Sequence, residues 1–130
     1  MKFLIFLRSP KMSVLVYLHT KCSTCQKALQ FLDKANISYT AIDIVKSPPS
    51  LEELNKMLSY YKGDTKKLFN SSGRLYKELQ LSQKLPYMPQ NEALSLLHAQ
   101  GMLVKRPFLL GDGIGLVGFQ EEHWKPVFLS

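Results

Sequence analysis

The hydrophobic pattern of the chain begins with a continuous apolar run, residues 14–18, which has the length and β-branched content of a buried strand. After a short polar loop, apolar residues recur every three or four positions over residues 25–35, which predicts a helix. Residues 39–45 form the second predicted strand, which ends before Pro48 and Pro49. Strand, helix and strand in this order predict a βαβ unit with two parallel strands.

The middle of the chain carries several helix signals. Ser50 and Glu53 have the spacing of a capping box, and the apolar stripe that follows predicts a helix that ends at Gly63. Further short helices are expected in three segments, which are residues 64–69, 75–81 and 91–100. Two prolines, Pro86 and Pro89, mark a linker between the second and the third of these segments. A helical block therefore follows the βαβ unit.

The last part of the chain predicts a β-hairpin and a closing helix. Two short apolar strands, residues 107–110 and 115–119, flank a Gly-Asp-Gly turn at residues 111–113. Residues 120–127 then have the pattern of a short helix. The order of elements is thus βαβ, an inserted helical block, and ββα. This order predicts an α/β fold with a thioredoxin-like mixed sheet.

Composition and length are those of one soluble globular domain. The chain has 130 residues, of which 45% are hydrophobic and 21% are charged. Its formal net charge is +7, but three of the 17 basic residues lie within the first eleven positions, where no acidic residue occurs. The remaining 14 basic and 10 acidic residues leave an excess of +4, which is scattered along the chain. Such an excess is typical of a solvated surface, so we expect no direct nucleic-acid binding.

The first eleven residues stand apart from this pattern. The apolar run at residues 3–7 is too short for the core of a signal peptide, and Pro10 interrupts the chain before the first strand. We expect residues 1–11 to be a disordered extension or a segment upstream of the native start, and residues 12–130 to form a single domain. No run approaches the roughly 20 apolar residues of a membrane span, so we expect a cytoplasmic protein that does not contact the membrane.

The candidate chemistry lies in the two cysteines. Cys22 and Cys25 form a Cys-x-x-Cys motif at the junction of the first strand and the first helix. The free N–H groups and the dipole of a helix start favour a negative charge, and Lys21 acts in the same direction, so Cys22 is the predicted nucleophile. Cys25 shares an apolar stripe with Leu29 and Leu32. It should therefore be more buried, and placed to resolve a mixed disulfide.

Other interpretations of the cysteine pair remain open at this point. Both thiols could be inert, or Cys22 could be reactive while Cys25 is only a core residue. The pair could also be half of a zinc site, but such sites normally use a second Cys pair or a closely spaced His pair. The three histidines, His19, His98 and His123, are isolated from one another in the sequence. We therefore expect no bound metal.

Six stretches of the sequence follow one another in the order of a known family pattern; they are residues 17–27, 48–54, 69–73, 76–79, 105–107 and 116–119. In these stretches the chain resembles the ArsC-like family, which includes arsenate reductases, Spx-type transcription regulators and small glutaredoxin-like proteins. The resemblance implies that Cys22 is the reactive residue. It also implies that Arg106, which precedes a cis-proline at Pro107, helps to bind an anion beside Cys22.

The resemblance also bears on the choice of function. Arsenate reductases hold the oxyanion with a cluster of arginines, whose forked geometry suits it. The first of these arginines corresponds to Asn70 here, which argues against arsenate reduction. We expect a glutaredoxin-like thiol–disulfide oxidoreductase without a bound cofactor, acting on a disulfide or glutathionylated substrate, with glutathione or a protein thiol as reductant. The alternative is a redox-sensing regulator of the Spx type, whose partner would be the RNA polymerase α subunit.

Overall fold

In the part of the chain that the structure describes, four strands form one mixed sheet at the centre of the fold. The computed structural model describes residues 13–129, so the extension predicted at residues 1–11 lies outside the described residues. The strands are β1 (Ser13–Leu18), β2 (Ser38–Asp43), β3 (Phe108–Gly111) and β4 (Ile114–Val117), and they lie in the order β2-β1-β3-β4. β1 pairs in parallel with β2 and antiparallel with β3, and β3 and β4 form a hairpin. The thioredoxin-like mixed sheet is confirmed.

Helices cover both faces of this sheet. They are α1 (Ser23–Lys34), α2 (Leu51–Tyr60), α3 (Arg74–Glu78), α4 (Leu81–Lys84), α5 (Gln90–Ala99) and α6 (Glu121–Leu129). Three short 3₁₀ helices lie between them, at Thr65–Leu68, Leu85–Tyr87 and Gly101–Leu103. Within residues 13–129, no helix combines the length and the apolar character that crossing a membrane requires.

The alternation of side chains along β1 divides the core into two layers. Val14, Val16 and Leu18 point to one face, where they pack with buried residues of α1 and with Trp124 of α6. Tyr17 points to the other face, where it joins Phe108 and the apolar residues of the helical block. The inserted block thus has a core of its own on one side of the sheet, while α1, which carries the cysteines, packs on the other side.

The capping box predicted at the start of α2 is present, and it also ties this helix to the sheet. The Ser50 hydroxyl accepts the N–H of Glu53 at 3.1 Å, and Glu53 Oε1 accepts the N–H of Ser50 at 2.9 Å. The same Oε1 accepts the hydroxyl of Tyr17 at 2.6 Å. Burial and this bond to a carboxylate raise the pKa of Tyr17 well above its ordinary value, so the phenol stays neutral and serves as the donor.

Several predicted boundaries are wrong, among them the end of the last hairpin strand, which is Val117 and not residue 119. Two of the errors have a clear local cause. The second strand ends at Asp43 and not at residue 45, because the Asp43 carboxylate accepts the N–H groups of Val45 and Lys46 and turns the chain. The helix predicted over residues 75–81 is divided into α3 and α4, because Gln80 adopts a left-handed conformation with φ 55°. The proline linker itself forms one turn of 3₁₀ helix at Leu85–Tyr87.

Candidate active site at the start of helix α1

Cys22 occupies the cap position of α1, as the sequence predicted. Its backbone is extended, and its Sγ accepts the N–H of Cys25 at 3.2 Å. The Cys22 N–H donates to the carbonyl of His19 at 3.2 Å, which holds the loop between β1 and the helix. The side chain is half-buried. The Cys22 sulfur therefore lies at the positive end of the helix dipole and accepts one of the free N–H groups of the first turn.

Cys25 lies one turn further into α1 and has the opposite environment. Its side chain is fully buried, in a cluster with Ala28 and Leu32 of the same helix. Burial and the hydrogen bond with the Cys22 sulfur raise the pKa of the Cys25 thiol well above its ordinary value. The positive charge of Arg106 acts in the other direction on the same thiol, so the guanidinium belongs to the electrostatic surroundings of the pair. The two sulfurs are therefore chemically unequal.

A cavity of about 790 Å³ opens in front of Cys22. One wall is the start of α1, and a second is formed by Lys105 and Arg106 before β3. The end of β4 and the first turn of α6 form a third wall, with Phe119 and Trp124. The fourth wall comes from the helical block between α2 and α3 and contains two lysines. The cavity volume lies within the roughly 300–1,000 Å³ typical of small-molecule sites.

The three other predicted site residues lie in surroundings that differ from one another. Arg106 lines the cavity, its Nη1 donates to the carbonyl of Met102 at 3.2 Å, and its buried Nε has no partner among the described residues. Pro107 is buried and follows a cis peptide bond. The side chain of Lys21 is exposed, and Lys21 is not among the described residues that line the cavity. Its contribution beside Cys22 stays a prediction.

The hydrogen bonds of the turn after β4 explain how the cavity is closed on that side. The Gly118 N–H donates to the carbonyl of Pro107 at 2.9 Å, and the indole of Trp124 donates to the Gly118 carbonyl at 3.2 Å. Gly118 has φ 73°, which favours glycine, and a Cβ there would lie 2.9 Å from Cε of Lys105. Glycine at this position therefore lets the Lys105 side chain cross the turn at the cavity wall.

Nothing in the hydrophobic pattern of the sequence points to the lysines of the fourth wall, Lys66 and Lys67. They reach the cavity because the segment after them pairs with the chain before β3. The Asn70 N–H donates to the carbonyl of Leu103, and the Lys105 N–H to the carbonyl of Leu68, each at 2.8 Å. The match of residues 69–73 to the family pattern was the one signal that this segment belongs to the site.

Positive charge dominates the cavity. Among the described residues, four cationic side chains line it, Lys66, Lys67, Lys105 and Arg106, together with one carboxylate, that of Asp64, which leaves an excess of three. Asp64 also accepts the N–H of Lys66 at 3.2 Å, at the start of the 3₁₀ helix. Among residues 13–129, no group of three His, Cys, Asp or Glu side chains has an arrangement that could hold a metal ion. The donors and charges of the cavity suit an anionic partner.

A first test concerns the inequality of the thiols. At neutral pH, we expect iodoacetamide to modify Cys25 at least about tenfold more slowly than Cys22, because the thiolate is the reacting form and Cys25 is buried. Raising the pH should accelerate labelling of Cys25, since a group with a raised pKa ionises only as the pH approaches that value. Peptide mapping by mass spectrometry measures both rates, and the unfolded protein is the control. Equal rates in the folded protein would contradict the assignment.

The fold and the cysteine pair together define a class, that of thioredoxin-like proteins with a Cys-x-x-Cys motif at the start of the first helix. Within this class, the model of the ArsC family matches residues 17–127. The chain belongs to the ArsC family, and the resemblance seen in the sequence is confirmed.

Three similar proteins illustrate the range of this family. The uncharacterized protein YusI of Bacillus subtilis (strain 168) is 40% identical over 114 residues, which cover 88% of this chain and 97% of YusI. The global transcriptional regulator Spx 2 of Oceanobacillus iheyensis is 30% identical, over 85% of this chain and 80% of that protein. The crystal structure of a protein from Bacteroides fragilis related to the ArsC family has 43% identity and a TM-score of 0.84, covering 91% of this chain and 99% of that one.

Proposed function

We propose that this protein is a thiol–disulfide oxidoreductase, with Cys22 as nucleophile and Cys25 as resolving thiol. The observation that carries the proposal is the contrast between the two sulfurs. Cys22 lines the cavity and accepts an N–H at the helix start, whereas Cys25 is fully buried one turn behind it and hydrogen-bonded to it. This arrangement supports attack by the first sulfur and delayed action by the second.

The reaction balances as two successive exchanges. The Cys22 thiolate attacks one sulfur of a substrate disulfide, forms a mixed disulfide, and releases the other half as a thiolate that takes up a proton. Cys25 then loses its proton and attacks Cys22 Sγ, which forms the Cys22–Cys25 disulfide and releases the second half of the substrate. Two electrons pass from the protein to the substrate. Two equivalents of glutathione, or a protein dithiol, restore both cysteines.

In the proposed reaction, Arg106 and the start of α1 stabilise the negative charge of the reacting thiolates. Arg106 lines the cavity, and its buried Nε has no partner within the described part of the chain. The positive charge of its guanidinium would favour a thiolate or a carboxylate near Cys22. The same positive charge lowers the free energy of Cys25 in its ionised form, which assists the second exchange. We place the reaction in the cytoplasm, where thiols are kept reduced.

A redox-sensing regulator is the second candidate, because the chain is 30% identical to the global transcriptional regulator Spx 2. In that role the Cys22–Cys25 disulfide would be the signal and the RNA polymerase α subunit the partner. Arsenate reduction has less support. The position that corresponds to an anion-binding arginine is Asn70, and three of the four cations at the cavity are lysines.

One experiment separates the first two functions. The reduced protein is mixed with a glutathionylated model protein in the presence of glutathione and a glutathione-recycling system, and turnover is followed through consumption of NADPH. We expect many turnovers per protein molecule. In parallel, the purified α subunit is passed over immobilised protein in reduced and in oxidised form. If the α subunit binds in one oxidation state only and no catalytic turnover occurs, the protein is a redox-sensing regulator and not an oxidoreductase.

A further inference from the structure

The fourth wall of the cavity carries positive charge that the exchange reaction itself does not use. Lys66 and Lys67 lie in the 3₁₀ helix Thr65–Leu68 and are exposed at the cavity. Within residues 13–129, Lys125 forms a salt bridge with Glu121, whereas neither Lys66 nor Lys67 forms a salt bridge. Both ammonium groups are therefore available to a ligand in the cavity, because no carboxylate of the described residues binds them.

The position of these lysines indicates which part of a ligand they would meet. Cys22 and Arg106 occupy the walls on the thioredoxin-like side of the cavity, whereas the two lysines belong to the inserted block. The pairing of Asn70 with Leu103 holds this block against the chain before β3. A substrate whose sulfur meets Cys22 would therefore extend towards the lysines with its non-reacting part. The cavity, at about 790 Å³, has room for a peptide of a few residues.

The side-chain type indicates the chemistry of the ligand. An ammonium is a compact point charge on a flexible stem and donates to a carboxylate in many directions, whereas a guanidinium donates two parallel hydrogen bonds to an oxyanion. Among residues 13–129, this wall has two lysines and no arginine, which suits carboxylates that differ in position from one ligand to another. The neighbouring carboxylate of Asp64 is occupied in part, because it accepts the Lys66 N–H.

We propose that Lys66 and Lys67 select disulfides whose non-reacting part carries carboxylates, as glutathione disulfide does, over neutral and cationic disulfides. This inference rests on the proposed function, because it concerns the substrate of the same reaction. The attraction acts on a part of the substrate that does not react, so it should appear in the preference among disulfides and leave the intrinsic reactivity of Cys22 unchanged.

The test compares three disulfides of similar chemistry and different charge. They are glutathione disulfide, which is anionic, bis(2-hydroxyethyl) disulfide, which is neutral, and cystamine, which is cationic. Second-order rate constants for oxidation of the reduced protein are measured by acid quench and mass spectrometry. The variants are Lys66→Gln/Lys67→Gln and the matched control Lys56→Gln/Lys77→Gln, which removes two exposed lysines that do not line the cavity.

The expected result is a loss of preference in one variant. The rate ratio of glutathione disulfide to the neutral disulfide should fall about 3- to 10-fold in Lys66→Gln/Lys67→Gln, since each exposed ion pair contributes little, and stay unchanged in the control. Salt should reduce the ratio in the native protein, because it screens exposed charges. If the rate ratio does not change in Lys66→Gln/Lys67→Gln, or if the rate with the neutral disulfide falls equally, the proposed role of the lysines is wrong, while the proposed function is unaffected. Failure of all three disulfides to react at Cys22 would reject the proposed function as well.

Discussion

Replacing Cys22 with serine is expected to lower the rate of disulfide reduction by at least about 1,000-fold, to the level of the reaction without protein. A serine hydroxyl does not ionise at neutral pH, so the nucleophile is lost even though the side chain keeps its size. The cap of α1 should survive, because serine is a favoured residue at that position. The measurement is turnover of a glutathionylated protein, with circular dichroism to confirm that the fold is intact.

The matched control for this variant is Cys25→Ser, which removes the second sulfur and leaves the first. We expect it to accept the substrate at Cys22 and to accumulate a mixed disulfide, because no thiol stands one turn behind to release it. Intact-mass analysis would show the adduct. If Cys25→Ser turns over protein disulfide substrates at the native rate, Cys25 is a core residue and not a resolving thiol.

Replacing Trp124 with alanine is expected to lower the free energy of unfolding by about 3–5 kcal/mol. The indole is 1% exposed and packs edge-on against Phe31 and Phe119, with ring centroids 5.9 Å and 4.9 Å away. Its N–H donates to the Gly118 carbonyl, which alanine would leave without that bond. The loss is a large part of the total stability of a small domain. Urea denaturation followed by circular dichroism measures it.

Tyr87 is the matched control, since it is an aromatic residue of similar size that is 89% exposed. Tyr87→Ala should change the free energy of unfolding by no more than about 0.5 kcal/mol. Trp124→Phe should fall between the two, because it keeps ring packing and loses the N–H donor. Similar losses for Trp124→Ala and Tyr87→Ala would contradict the packing of α6 against α1.

Much of the fold was open to prediction because its signals are local. The apolar run of β1 and the helical period of α1 place Cys22 at a helix start and Cys25 on the buried stripe, from residues within one strand and two turns. The capping box of α2 is likewise contained in four residues. Two of the wrong boundaries also have local causes, at Asp43 and Gln80. In both, a single backbone or side-chain conformation outweighed the hydrophobic period.

The sequence by itself therefore determined the βαβ unit, the hairpin and the position of the cysteines, since periodicity and cap residues act over a few neighbours. Only the tertiary structure decided which residues of the helical block line the cavity in front of Cys22. Lys66 and Lys67 reach the cavity through two backbone hydrogen bonds that join residues 68–70 to residues 103–105. Such a contact joins short irregular segments far apart in the chain and leaves no periodic trace. It forms because the separate core of the helical block packs as a whole against the sheet.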